Sequence, residues 1–235
     1  MKPLLVLAQL QIHSRTGQGC VQSNGFCPKW IADNFSRYVN PFWEHVYLTL
    51  ISVAIGFTIA FALALIAHRR RWLTSPIVGV TGVLYTIPSI ALFLLLLPIT
   101  GRGNTTAIVA LVSYTLLIIF RNITTGLNNV PEEMKDAGRG MGLTEKQLLW
   151  KIELPLAVPE ILAGLRIAVT TTVGLATLAF FAGAGGLGAQ IYTDINFKSN
   201  VVTAGGLAVL LAAAFDLVIL AVQRGLTPWR RASRA

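Results

Sequence analysis

Residues 47–67 read YLTLISVAIGFTIAFALALIA and end just before Arg69-Arg70-Arg71. As a helix rising 1.5 Å per residue, this uncharged run is about long enough to cross a 30 Å hydrocarbon layer. Its apolar residues are continuous rather than alternating, which excludes a strand of a membrane barrel. Working outward, four more stretches have the same character. They are Ile77–Ile99, Thr105–Phe120 (lengthened by uncharged Gly103 and Asn104), Ile167–Ala189, and Val201–Gln223, which is interrupted by Asp216. The sequence therefore predicts an all-α membrane protein of about five spans, in a bacterial-type cell membrane.

Composition leads the same way. The 235 residues are 54% hydrophobic and 12% charged, with mean hydropathy +0.65. A soluble domain carries roughly twice that charged fraction. The net charge of +9 does not point to nucleic acid, because the basic residues cluster at the ends of apolar runs. If the first span ends in the cytoplasm, Arg69, Arg70, Arg71, Arg121, Lys135, Arg139, Lys146, Lys151, Arg166, Arg224, Arg230, Arg231 and Arg234 are inside. Lys2, Arg15, Lys29, Arg37, Arg102 and Lys198 are outside. Thirteen against six favours an outside N-terminus and a cytoplasmic C-terminus.

The predicted organisation is an extracytoplasmic or interfacial segment 1–41, a membrane domain 42–228 with a cytoplasmic loop at 121–166, and a basic cytoplasmic tail 229–235. Pro3–Ile12 is apolar but too short to span, and lacks a small-residue cleavage site after it. Cys20 and Cys27 are the only cysteines and share a segment with Gly17, Gly19, Gly25 and Pro28. An oxidising exterior permits a disulfide, and the alternative is two free thiols. A zinc site does not fit, because His13 is the one nearby histidine, and no metal is expected.

No catalytic set emerges. The chain lacks G-x-x-x-x-G-K and H-E-x-x-H, and its histidines at 13, 45 and 68 are scattered. Gly183-Ala184-Gly185-Gly186-Leu187-Gly188 follows a membrane segment instead of a strand. It reads as a flexible, closely packed turn rather than a phosphate loop.

The cytoplasmic loop is more informative. Pro131 suits the first turn of a helix, and Glu132 and Glu133 suit its dipole. Met134, Ala137, Gly138 and Met141 form one stripe at helical spacing. Gly142 predicts a left-handed stop, Thr144 and Gln147 have the spacing of a capping box, and Pro155 predicts the end of a second helix. Such a hairpin either docks a partner, with small Ala137 and Gly138 admitting it closely, or packs under its own membrane helices.

The spacing Asp136-Ala137-Gly138, Gly142-Leu143, then Ile152, Leu154 and Pro155 resembles the E-A-A, three residues, G, nine residues, I-x-L-P loop of ABC importer permeases. Asp136 and Gly138 stand where the pattern has Glu and Ala. Further markers are Tyr85-Thr86-Ile87-Pro88-Ser89-Ile90-Ala91-Leu92, Arg121-Asn122, Thr125-Gly126-Leu127, Gly185-Gly186-Leu187-Gly188 and Phe215-Asp216. They are similar to permeases for quaternary-amine osmoprotectants such as glycine betaine, choline or carnitine. Arg102 stands where that branch has an apolar residue.

The resemblance implies a type I importer fold. Two permease chains, identical or homologous, would pair with two cytoplasmic ATPase subunits and an external substrate-binding protein. ATP and magnesium would sit on the ATPase, with no cofactor on this chain. Residues 136–155 would be the docking loop. Tyr85, Pro88, Ser89, Phe93, Tyr114 and Phe180 are candidates for a cation path, weighed against ordinary packing. Asp216 must face protein or water. Either it lies near that path or it makes a structural pair near the cytoplasmic end of the last span, and the second reading is favoured by its nearness to Gln223. Other readings are the same machine carrying an amino acid or another small solute, a non-transporting membrane scaffold, and a secondary transporter.

Overall fold

The computed structural model describes residues 19–227. The segment Pro3–Ile12 and the tail 229–235 lie outside the described residues. Helices run in the order α1 (Gly19–Gln22), α2 (Pro28–Asp33), α3 (Val39–Arg69), α4 (Thr74–Thr86), α5 (Ser89–Thr100) and α6 (Asn104–Asn128). They continue with α7 (Glu132–Gly140), α8 (Glu145–Leu148), α9 (Leu154–Ala176), α10 (Leu187–Thr193) and α11 (Lys198–Leu226). Among the described residues there is no strand.

Three unbroken helical stretches are long and apolar enough to cross a membrane: Phe35–Arg69, Asn104–Asn128 and Lys198–Leu226. A fourth apolar stretch is broken instead of straight. Arg71–Thr86 and Ser89–Thr100 meet at 98°, where the sequence predicts one straight crossing over Ile77–Ile99. Pro88 is the cause: it has no N–H to donate and pushes the preceding residue out of helical geometry. Ile87 and Pro88 are extended, with ψ of 127° and 132°. Helix α9, with 23 residues, has spanning length and carries Glu160 and Arg166.

The expected span Ile167–Ala189 is displaced. The helix occupies Leu154–Ala176 instead, and the chain turns over 177–186 before α10. Two left-handed glycines, Gly183 at φ +80° and Gly186 at φ +92°, keep a helix from continuing. Arg166, expected at the end of a loop, therefore lies well inside α9.

Pro155 does not end a helix either. α8 runs into α9 through a π turn at Leu149–Glu153. Pro155 cannot donate to the carbonyl one turn back, and the widened turn takes up the mismatch. The segment between the long helices α6 and α9 is thus residues 129–153.

Helix α6 is the centre of the packing, with α3, α4, α5 and α9 against it and α11 on the far side of α9. Close approach depends on small side chains. On α3, Thr49, Ser52, Gly56, Ala60, Ala64 and Ala67 are buried, and a Cβ on Gly56 would lie 1.8 Å from Thr115 Oγ1. On α9, a Cβ on Gly164 would lie 2.3 Å from the Asn122 Cβ. Such small-residue contacts hold membrane helices together when burial against lipid gives no hydrophobic drive.

Candidate functional site: the α7–α8 hairpin and the helices it joins

Helix α7 starts with Pro131 as its N-cap and with Glu132 and Glu133 in the first turn. It stops at Gly142, which has φ +82°, a conformation costly for a residue with a Cβ. Thr144 Oγ1 accepts from the Gln147 N–H, and the Gln147 side chain accepts from the Thr144 N–H, so α8 begins with a complete capping box.

The stripe on α7 divides. Gly138 is buried, and a Cβ there would come within 2.6 Å of both Leu148 and Ile152. Its small size therefore serves the hairpin's own closure, where the sequence reading gave it to an incoming partner. Leu143 and Ile152 pack in the same seam. Ala137 is exposed, and Met134 and Met141 are 47% and 72% exposed. Trp150 and Trp72, which the sequence reading passed over, are 52% and 70% exposed.

Charge clamps the hairpin. Arg139 donates to Glu132 (3.0 Å), Asp136 (3.1 Å) and Glu145 (3.3 Å), and Lys135 donates to Glu132 (3.0 Å). Hydrogen bonds from Lys135 and then Arg139 hold the Glu132 carboxyl below the usual carboxylate range. The same acids, Glu132 foremost, raise the Arg139 guanidinium further. At the hairpin's root, Glu153 is buried in the π turn, and its carboxylate lies 2.7 Å from His68 Nε2 at the end of α3. Neither residue carries a motif signal, since the pair forms only when the helices pack. Leu154 and Leu149 then join the inner core with Ala64, Phe120, Ile123 and Leu127.

Of the candidate path residues, Phe93 and Tyr114 share one buried cluster near the Pro88 break, with Tyr85 against Tyr114. Tyr85 meets Tyr114 edge to face at 5.9 Å beside the Pro88 break, and the Tyr114 hydroxyl donates to the freed Ile87 carbonyl. Ser89 opens α5. Phe93 is fully buried in the outer core with Leu48, Ala107 and Ala176. Phe180 stacks on Phe181 and Tyr192, at 4.2 and 4.7 Å, on the turn after α9. Asp216 accepts two hydrogen bonds from Arg166, at 2.7 and 2.8 Å, which is the structural pair of the two readings. Cys20 and Cys27 are joined in a disulfide. That segment docks on the start of α11, where the Cys27 N–H donates to Ser199 Oγ (2.7 Å) and Trp30 meets Phe197 edge to face.

Residues 48–232 match the family model described as binding-protein-dependent transport system inner membrane component. The chain belongs to this family. It is 36% identical over 188 residues to the choline transport system permease protein OpuBB of Bacillus subtilis (strain 168), covering 79% of this chain and 87% of that one. It is 35% identical over 206 residues to the osmoprotectant import permease protein OsmW of Salmonella typhimurium, covering 85% and 96%. Among solved structures, the inward-facing MetNI methionine ABC transporter matches with TM-score 0.72 and 26% identity, over 81% of this chain and 96% of that one. This family member is a multi-pass inner-membrane permease subunit with the type I ABC importer fold, and not an enzyme.

Proposed function

We propose that the chain forms the translocation pathway of an ATP-driven importer for a small osmoprotectant such as glycine betaine, choline or carnitine, and that its α7–α8 hairpin couples the pathway to a separate ATPase. The observation that carries the coupling role is mechanical. The hairpin is closed on itself by Gly138, Leu148 and Ile152, clamped by Arg139, and continuous through the π turn with α9. It still exposes Met134, Ala137 and Met141. A stiff element with an uncovered apolar face suits docking.

ATP and magnesium are held by the partner ATPase, which closes on nucleotide and moves the hairpin. Helix α9 carries that motion to α6 and α11, the pathway opens outward, and an external binding protein delivers its ligand. A second permease chain, identical or homologous, completes the pathway. The substrate class is supported by the relatives, which are named for choline, glycine betaine, carnitine and osmoprotectant uptake. An amino acid is the second reading, favoured by the likeness to the methionine transporter.

The test is uptake of radiolabelled glycine betaine, choline, carnitine and methionine in cells carrying the chain with its ATPase. A Walker-lysine variant of that ATPase is the control. Uptake of a quaternary amine that disappears with the dead ATPase is expected. Methionine uptake alone selects the second reading. Uptake indifferent to the ATPase rejects the importer.

A further inference from the structure

The glycine-rich turn at 183–188 is not part of the coupling hairpin, yet its close contacts are specific. On the proposed topology it lies at the outer face, between the end of α9 and the start of α10. Two consecutive residues of α3 reach this region, one at the last turn of α9 and the other at the glycine turn itself. His45, fully buried, places Nε2 3.0 Å from the Val173 carbonyl, one of the last carbonyls of α9, which the ending helix leaves without an intrahelical donor. Glu44 reaches the glycine turn itself, where its Oε2 accepts from the Gly186 N–H at 2.9 Å.

The glycines are fitted to these side chains. A Cβ on Gly185 would lie 1.9 Å from Glu44 Oε2, and one on Gly186 would lie 3.2 Å from His45 Nδ1. A Cβ on Gly188 would lie 1.8 Å from the Thr177 carbonyl. The start of the turn is fixed separately, by the Gly103 N–H donating to the Ala182 carbonyl at 2.8 Å, with Arg102 against Gly183. Of the three hydrogen bonds just described, the one from the Gly186 N–H to Glu44 is the one made to an exposed side chain. It is therefore the one that water can compete for.

We infer that Glu44 is a positioning residue for transport: its carboxylate latches the Gly183–Gly188 turn in the shape the outer face presents to the binding protein. This role rests on the importer reading above. Release of one hydrogen bond frees Gly185 and Gly186 from α3, while His45 keeps the end of α9 in place. The turn is thus built to loosen on one side only.

The test uses a reporter cysteine, Ala184→Cys, in intact cells. Ala184 is 6% exposed, and the two native cysteines are bonded to each other, so labelling by a membrane-impermeant maleimide reads the turn. Glu44→Ala is expected to raise the labelling rate about tenfold, the order set by losing a hydrogen bond to a charged group. Glu44→Gln, which keeps an acceptor, stays near the parent rate. Gly185→Ala drives the carboxylate away and behaves like Glu44→Ala, whereas adding it to Glu44→Ala has no further effect. Glycine betaine uptake at matched abundance falls severalfold in Glu44→Ala and Gly185→Ala and is retained in Glu44→Gln.

Equal labelling in the parent and Glu44→Ala overturns the latch. Faster labelling with unchanged uptake overturns its role in transport. Should Glu44→Ala fail to accumulate, parent-like labelling in Gly185→Ala overturns the latch as well. A parent with no uptake of any quaternary amine rejects the osmoprotectant reading, while the labelling arm still decides whether the latch exists.

Discussion

Arg166 on α9 grips Asp216 on α11 through two parallel hydrogen bonds, Nε to Oδ1 at 2.7 Å and Nη2 to Oδ2 at 2.8 Å. Each side chain is about 30% exposed, so the pair lies at the edge of the packed bundle rather than in its core. Gln223, two turns on, donates to the Pro159 carbonyl at 3.1 Å and fastens the same two helices again. Removing one partner leaves the other charge unpaired at membrane depth, which is more damaging than removing both. Arg166→Ala and Asp216→Ala are each expected to reduce membrane abundance and uptake severalfold, and the exchanged pair Arg166→Asp with Asp216→Arg to recover much of the loss. Quantitative blotting beside uptake checks this. Normal abundance and uptake in both single variants would show that the pair is dispensable.

Arg70 is expected on the cytoplasmic side and Lys29 on the outer side. The motive is the excess of basic residues at the inner ends of the spans. The structure adds that Lys29 sits in α2, which belongs to the segment docked on the start of α11, whereas Arg70 caps the other end of α3. Single cysteines at the two positions, probed with an impermeant maleimide in intact and permeabilised cells, report the side of each. Equal labelling of both in intact cells sinks the orientation.

The Cys20–Cys27 bond closes a loop of only six intervening residues, so it constrains little of the unfolded chain. The segment is also held by Ser199, which accepts from the Cys27 N–H and donates to the Gly25 carbonyl at 3.0 Å. Uptake by Cys20→Ser/Cys27→Ser is therefore expected to stay within about twofold of the parent. Mass spectrometry of nonreduced, alkylated protein is expected to find the two cysteines linked, and finding both alkylated would reject the bond.

The membrane class was legible because apolar runs such as 47–67 leave no other solvent. Turn chemistry at Gly142, Thr144 and Gln147 was legible because capping is local. What failed was the fate of prolines inside apolar or amphipathic runs. At Pro88 two helices meet at 98°, whereas Pro155 is absorbed by a π turn. The difference lies in packing around each proline, which spacing does not encode. The span expected at 167–189 lies instead at 154–176 for a related reason. Glu160 and Arg166 lower the apolarity of the true helix, and the glycine turn after Ala176 raises it for a false one. Gly138 was assigned to a partner because its neighbours Leu148 and Ile152 become neighbours only after the hairpin closes.

Arg139 joins three carboxylates from α7 and α8, so it is expected to set the stiffness of the hairpin. Glu132, whose carboxyl is held below its usual range, favours the closed hairpin at pH values above its ordinary pKa. That contribution is lost as pH falls through the lowered value. The clamp should therefore be constant near neutral pH and weaken below about pH 4, the ordinary carboxylate range. Because these groups are exposed, the effect is modest and salt-sensitive. Hydrogen exchange across 132–148 is expected to quicken severalfold at pH 7 in Arg139→Ala. Unchanged exchange would mean that Gly138 packing alone closes the hairpin.

The coupling role makes the sharpest demand on the hairpin. Gly142 has φ +82° with open space where a Cβ would stand, so a substitution there acts through backbone strain and not collision. A β-branched residue in that conformation costs roughly 1–2 kcal/mol, enough to re-aim α8 against α7. Ala137 acts differently. It is exposed beside Met134 and Met141, so Ala137→Glu leaves the fold intact and places a charge on the apolar face. Gly138→Leu is a third case, because its side chain would collide with Leu148 and Ile152 and open the hairpin itself. All three are expected to lose ATPase co-purification and uptake at matched membrane abundance. Only Gly138→Leu and Gly142→Val should also raise hydrogen exchange across 138–152. The outer face should be untouched, so labelling at Ala184→Cys stays at the parent rate. If Ala137→Glu and Gly142→Val both retain the ATPase and transport normally, the exposed face of α7 is not where the motor docks, and coupling must be sought elsewhere on the inner surface, beginning with Trp72 and Trp150.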